Sequence, residues 1–117
     1  MKTAVIGSRT FIDYEKLVSC LEKIHDISEI ITGGAKGADT LAEKYAKQKG
    51  LKLNIFKPDY ARHGKLAAPL MRNYLIIDNS DLIVVFWDGK SKGTKHAISY
   101  ARKKRKEVKI VFYNNLQ

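Results

Sequence analysis

Short apolar runs alternate with stretches of helical periodicity along this chain, and that alternation restricts its fold more tightly than any other property of the sequence. The apolar runs cover residues 3–6, 29–32, 52–56, 82–86 and 108–112. Between them apolar residues recur three and four apart: Tyr14, Leu17, Val18, Leu21 and Ile24; Ala38, Leu41, Ala42 and Tyr45; Leu70, Tyr74 and Ile77; Ala97, Ile98 and Ala101. The pattern predicts βαβαβαβαβ, an α/β chain. Consecutive parallel strands need crossovers, and right-handed crossovers place helices on both faces, so a doubly wound three-layer sandwich around a five-stranded parallel sheet is expected. Leu82-Ile83-Val84-Val85-Phe86 is apolar at every position, as a strand covered on both faces should be. The expected strand order is 3-2-1-4-5, with the winding reversing between the first and fourth strands. A length of 117 residues suits one core, so residues 1–117 read as a single domain.

In such a sheet ligands bind at the carboxyl ends of the strands, where the strand-to-helix loops converge beside the reversal. Those loops are rich in glycine, hydroxyl and basic residues. After the first strand comes Gly7-Ser8-Arg9-Thr10-Phe11, and after the second Gly33-Gly34-Ala35-Lys36-Gly37-Ala38-Asp39. After the fourth comes Trp87-Asp88-Gly89-Lys90-Ser91-Lys92-Gly93-Thr94. An apolar strand running into three glycines and then a helix makes an anion cradle, because glycine allows close backbone approach and the helix start offers unpaired N–H groups. The same glycines also suit a tight turn that serves packing alone. Residues 57–65, after the third strand, read as a long loop forming a lid or substrate wall.

Composition narrows the partners. A formal charge of +10 favours phosphate groups, anionic metabolites or polyanions. No apolar run reaches the roughly 18 residues of a membrane span, and the chain opens directly on strand-like residues, so a cytoplasmic protein without membrane contact is expected. Cys20 lies among Leu17, Val18 and Leu21 and reads as a reduced structural thiol. The turn after the first strand is not G-x-G-x-x-G, and Val84 stands where a phosphate-binding P-loop ending in Gly89-Lys90-Ser91 would need its first glycine. His25, His63 and His96 fall in separate segments, so no metal and no cofactor are expected.

Five blocks, in order, resemble one family: Gly7-Ser8-Arg9-Thr10-Phe11, Thr32 to Asp39, Pro58-Asp59-Tyr60, Arg72-Asn73 and Phe86 to Thr94. They look like the SLOG superfamily, specifically its small single-domain, DUF2493-type branch; the superfamily also holds the Rossmann-like domain of DprA and the lonely-guy phosphoribohydrolases. The resemblance implies a Rossmann-like fold and a phosphate site in which Gly33, Gly34 and Gly37 form one turn, Ser91, Gly93 and Thr94 a second, and Arg72 points between them. Gly7, Ser8, Arg9, Lys36, Asn73 and Gly89 complete the expected ligand set. An arginine fork, hydroxyls and helix-start N–H groups are suitable donors for phosphate oxygens. Asp39, Asp59 and Asp88 are the candidate catalytic carboxylates. Asp39 and Asp88 also suit accepting hydrogen bonds from ribose or base, while their plainer roles are a helix first-turn charge and a turn residue.

Two positions depart from the family pattern. The phosphoribohydrolases carry a catalytic glutamate three residues after the threonine, where this chain has Ala97 beside His96. Relatives tend to have glycine-proline shortly before the arginine-asparagine pair, whereas this chain reads Ala68-Pro69-Leu70-Met71-Arg72-Asn73, with the proline displaced. Binding of a nucleotide or nucleotide-derived phosphate ligand, for sensing or processing, is therefore the leading expectation. Hydrolysis or glycosyl transfer at a nucleotide N-glycosidic bond is the first alternative, and single-stranded nucleic-acid binding like that of DprA the second. Arg102-Lys103-Lys104-Arg105-Lys106 either meets the negative end of the last helix or, with Lys90, Lys92 and Lys95, forms a nucleic-acid patch on which Trp87 and Tyr60 stack bases. A homo-oligomer is compatible with all three readings.

Overall fold

A computed structural model describes residues 1–114. The elements run β1 (Lys2–Gly7), α1 (Tyr14–Glu22), β2 (Glu29–Thr32), α2 (Ala38–Lys49), β3 (Lys52–Ile55), α3 (Tyr60–Asp78), β4 (Leu82–Trp87), α4 (Lys92–Lys103) and β5 (Glu107–Phe112). All neighbouring strands pair in parallel in the order β3-β2-β1-β4-β5. The alternation of the sequence thus becomes the Rossmann-like α/β sheet that it predicts. β1 is central, its Ala4 level with Ile31 of β2 on one side and Ile83 of β4 on the other.

Alternate side chains of the buried strands feed two separate cores. Val5, Ile30, Val84 and Phe86 face α1 and α2, where they meet Leu17, Leu21, Ala42 and Tyr45. Ile6, Ile31, Ile83 and Val85 face α3 and α4, where they meet Ile76, Ile77, Ala97 and Ile98. Each β4 position from Leu82 to Phe86 is buried, which is why that run has no polar member. The edge strands are different. Lys52 on β3 and Glu107 and Lys109 on β5 are exposed, and charges there oppose further strand pairing.

One expectation is corrected. Residues 57–65 are not a free loop, because α3 begins at Tyr60. The Asp59 carboxylate accepts the Arg62 N–H at 3.1 Å and caps a first helical turn, and Gly64, at φ 81°, then kinks the chain before the helix resumes. Pro69 therefore lies inside α3, early in its second segment.

The β1–α1 connection is held down by one ring. Phe11 is 1% exposed; it stacks on Phe86 with centroids 4.6 Å apart and meets Tyr113 edge-on at 4.8 Å. The Ser8 N–H donates to the Phe86 carbonyl at 2.9 Å, and Asp13 caps α1 by accepting the Lys16 N–H. Removing the ring should open a cavity beneath the loop. Phe11→Ala is expected to lower the unfolding free energy by about 3–5 kcal/mol in urea titration; a loss below about 1 kcal/mol would show that the loop is held by other contacts.

Candidate functional site

The chain winds outward from β1 through β2 to β3, then crosses back through α3 to β4 on the other side of β1. Loops leaving β1 and β4 consequently diverge, and a cavity of about 390 Å³ opens between them. Gly7, Ser8, Arg9 and Thr10 line it from the first loop, Ala35 and Asp39 from the start of α2, and Pro69, Arg72 and Asn73 from α3. Asp88, Ser91, Gly93, Thr94 and Ala97 line it from the fourth loop and α4. Ten of the expected site residues are thereby gathered: Gly7, Ser8, Arg9, Asp39, Arg72, Asn73, Asp88, Ser91, Gly93 and Thr94. Gly33, Gly34, Lys36, Gly37, Gly89 and Asp59 do not line the cavity.

The glycine turn is built around a carboxylate. Asp39, on the first turn of α2 and 4% exposed, accepts the Gly33 N–H at 3.0 Å and the Ala35 N–H at 3.2 Å through Oδ2. Two amide donors of the expected cradle are therefore already occupied by an internal anion. The glycines have steric reasons of their own. A Cβ on Gly33 would lie 2.7 Å from Arg72 Nη1, and one on Gly37 would lie 2.4 Å from the Ser8 carbonyl oxygen. Gly37 also takes φ 85°, which an L side chain rarely adopts, so it lets α2 start hard against the first loop.

Arg72 crosses the space left by Gly33. Its Nη1 donates to the Gly33 carbonyl at 2.5 Å and its Nε to Asn73 Oδ1 at 2.8 Å. A guanidinium carries five N–H donors, so the group keeps donors for the cavity that it lines. Burial pushes its pKa down, and the Asp39 charge pulls it back up. Burial likewise drives the Asp39 pKa from the ordinary 3.8 to about 6, against the opposing pull of the Ala35 N–H, Arg72 and the Gly33 N–H. Site electrostatics thus centre on a buried arginine and a buried carboxylate that titrates close to neutrality.

The opposite wall is the beginning of α4. Ser91 caps the helix, its Oγ accepting the Thr94 N–H at 3.4 Å and lying 3.1 Å from Thr94 Oγ1. First-turn N–H groups have no intrahelical acceptor, and the helix dipole is positive at this end. The turn leading into it is held by Asp88, whose Oδ1 accepts the Lys90 and Ser91 N–H groups, both at 2.8 Å. Those two N–H bonds, Ser91 first, hold the Asp88 pKa below its ordinary value. Ser8 Oγ donates to Asp88 Oδ1 at 3.3 Å and ties the first and fourth loops together.

The expected residues outside the cavity have defined places. Asp59 caps α3, and Gly89, at φ 81°, shapes the turn after β4. Trp87 is fixed by donating Nε1–H to the Ser91 carbonyl at 3.1 Å and tilts against Phe112, while Tyr60 is 52% exposed. Lys92, Lys95, Arg102 and Lys103 lie on the exposed face of α4, opposite its buried Thr94, Ala97, Ile98 and Ala101. Sequence reasoning did not assign Thr10, Ala35, Pro69 or Ala97 to the site. Ala35, Pro69 and Ala97 carry no chemistry to signal a role, Thr10 reads only as part of the first turn, and Ala97 reads as an apolar helix position and as the place of the missing glutamate. Among the described residues no cluster of three or more His, Cys, Asp or Glu is placed to hold a metal, and no helix is long and apolar enough to cross a membrane.

The elevated pKa of Asp39 fixes the sign of a pH effect. Between about pH 4 and 6 the unfolded chain has released a proton that the folded chain keeps, so this group makes stability fall as pH rises. Two pKa units correspond to about 3 kcal/mol, expressed fully above pH 6 and absent below about pH 4. In urea unfolding, wild type compared with Asp39→Asn should lose this amount between pH 4 and pH 7. A pH-independent difference would show that Asp39 titrates normally.

Comparison with known proteins agrees with this architecture. The chain is 28% identical over 111 residues to the Gene 61 protein of Mycobacterium phage D29, a match covering 87% of this chain and 89% of that protein. No solved structure matches it. A family model described as YAcAr, the YspA, cpYpsA-related SLOG family, matches residues 1–63. That span carries β1 with its loop and the β2 turn with Asp39, whereas Arg72 and the start of α4 lie beyond it. With more than half of its length matched, the chain belongs to the YspA, cpYpsA-related SLOG family.

Proposed function

We propose that the cavity binds a nucleotide or nucleotide-derived ligand, with its phosphate at the start of α4 and its hydroxyl-bearing part toward Asp39. The observation that carries this reading is the division of the cavity. One wall offers Ser91, Gly93 and Thr94 at a positive helix end, and the other a buried carboxylate whose charge repels phosphate and accepts hydroxyl donors. Arg72 lies beside Asp39 with donors to spare. This placement reverses the simplest reading of the glycine turn, whose amides serve Asp39 instead of a ligand. Family membership supports a nucleotide-related ligand in general terms. A volume of about 390 Å³ falls among the smaller ligand sites, which commonly span about 300–1,000 Å³.

Titration calorimetry with a nucleoside 5′-monophosphate tests the proposal. Arg72→Lys keeps the charge but loses the planar fork, and binding should weaken by about 1.5–3 kcal/mol, roughly tenfold to a hundredfold. Unchanged affinity would remove Arg72 from the ligand site. No heat with any nucleoside monophosphate, and no retained phosphate metabolite in native mass spectrometry of fresh protein, would overturn the reading.

Hydrolysis of the bound nucleotide is the second reading, and one observation favours it. Asp39 and Asp88 line the same cavity with pKa values displaced in opposite directions, which is how acid and base roles are divided between two carboxyl groups. Neither replaces the glutamate missing at Ala97 in sequence; Asp39 would act from the facing wall and Asp88 from the loop that leads into α4. Product formation detected by chromatography should disappear in Asp39→Asn protein that remains folded. Continued turnover by that variant would exclude Asp39 as the catalytic carboxylate.

A further inference from the structure

The first turn of α3 covers almost nothing. From Asp59 to Leu66 every residue except His63 is exposed, and the first buried residue of the helix is Ala68. The hydrogen bonds that shape the turn are internal to it: Asp59 accepts the Arg62 N–H through its carboxylate at 3.1 Å and the His63 N–H through its carbonyl at 3.0 Å. Gly64 then breaks the helix at φ 81° and ψ 174°, and a Cβ there would meet nothing within 4 Å. Packing does not require this glycine; the backbone conformation does. Residues 60–63 are therefore a short helical turn on a glycine hinge, with few buried contacts to fix its angle.

The aromatic side chain on that turn is unengaged. Tyr60 is 52% exposed, and among the described residues its ring meets no other ring and its hydroxyl makes no hydrogen bond. Other aromatics of the rim are committed, Trp87 to the Ser91 carbonyl and Phe112, and Tyr113 to Thr10 and Phe11. Tyr60 lies near enough to Arg72 to bear on its ionisation, so the turn stands beside the cavity. The cavity itself has no aromatic side chain among its lining residues, and a base bound there would need a stacking partner from the rim. Strand order says which part of the rim. The start of α4 follows β4, Asp39 follows β2 and Tyr60 follows β3, so a phosphate at the first and a sugar at the second direct the base toward the third.

We propose that the first turn of α3 closes on the cavity about Gly64 and that Tyr60 stacks on the nucleobase of the bound ligand, so that the protein selects nucleotides over phosphosugars that lack a base. The inference rests on the nucleotide reading of the cavity. Stacking on one ring tolerates any base, because every base has a π-face, so Tyr60 separates ligands with a base from ligands without one. Closure would also place a wall over the open side of the site, and small-ligand sites generally cover most of the ligand's surface.

Titration calorimetry on the full chain with AMP, GMP, CMP and UMP, and with ribose 5-phosphate, tests it. Tyr60→Ala should weaken binding of the nucleotides about 5- to 150-fold, the range for loss of one base–aromatic stack, and leave ribose 5-phosphate unaffected. Tyr60→Phe keeps the ring and should keep the affinity. Amide hydrogen exchange at residues 60–64 should slow when a nucleotide is added and stay unchanged with ribose 5-phosphate, a readout of closure that needs no variant. Equal nucleotide affinity in wild type and Tyr60→Ala would overturn the inference and leave the nucleotide reading standing. Equal losses in Tyr60→Ala and Tyr60→Phe, ribose 5-phosphate binding as tightly as the nucleotides, or exchange indifferent to nucleotide would do the same. Failure of wild type to bind any of these probes would overturn both together.

Discussion

The rim of this protein depends on the central position of β1, paired in parallel with β2 on one side and β4 on the other. A parallel strand cannot be joined to its neighbour by a tight hairpin, so each step needs a helix crossing one face of the sheet. Winding outward through β2 and β3 puts α1 and α2 on one face; returning past β1 through α3 puts α3 and α4 on the other. Loops that leave β1 and β4 must then separate. The cavity is a consequence of that separation and needs no local device to open it. Phe11 holds the first loop from below, against Phe86 and Tyr113, while Ser8 ties it sideways to Asp88.

Within the cavity the decisive interaction is internal. A buried carboxylate is costly unless neighbouring donors meet it, and Asp39 meets this requirement with amides of the very turn it follows. Arg72 adds a second buried charge and anchors it on the Gly33 carbonyl. The outcome links β2, α2 and α3 through three groups. One side of the cavity is therefore a buried pair of opposite charges, Asp39 and Arg72, and the other is the positive end of the α4 dipole. Glycines at 33 and 37 are explained without a ligand, because a Cβ at either would strike Arg72 or the Ser8–Arg9 backbone. The plainer of the two readings of that turn therefore accounts for Gly33 and Gly37.

Charge is distributed unevenly between the two helices that cover one face. α4 carries Lys92, Lys95, Arg102 and Lys103 outward and has no acidic residue in its first turn. The cations at its C-terminal end suit the helix dipole, but those at its N-terminal end oppose it and are not explained by helix stability. They do raise the positive potential around the first turn of α4, beside the cavity. α3, its neighbour, exposes leucine and methionine where α4 exposes lysine.

The amino-acid sequence by itself determined the order and type of the elements and the strand order, because apolar period is set by which faces of each element are covered. It also pointed to ten residues of the cavity: those of the loops and the start of α2 stood out as glycine, hydroxyl and charged residues at the carboxyl ends of buried strands, whereas Arg72 and Asn73 on α3 came from the family resemblance. It could not place Ala35, Pro69 or Ala97, which carry no chemistry and line the cavity through position alone. Nor did it show that residues 57–65 open a helix, because the turn that Asp59 caps is broken at Gly64 before it is long enough to carry a period. Only the tertiary structure decided where the donors of the Gly33-to-Asp39 turn are directed. Whether an amide N–H is free for a ligand depends on which acceptor reaches it in space, and here a carboxylate on the first turn of the following helix reaches it first.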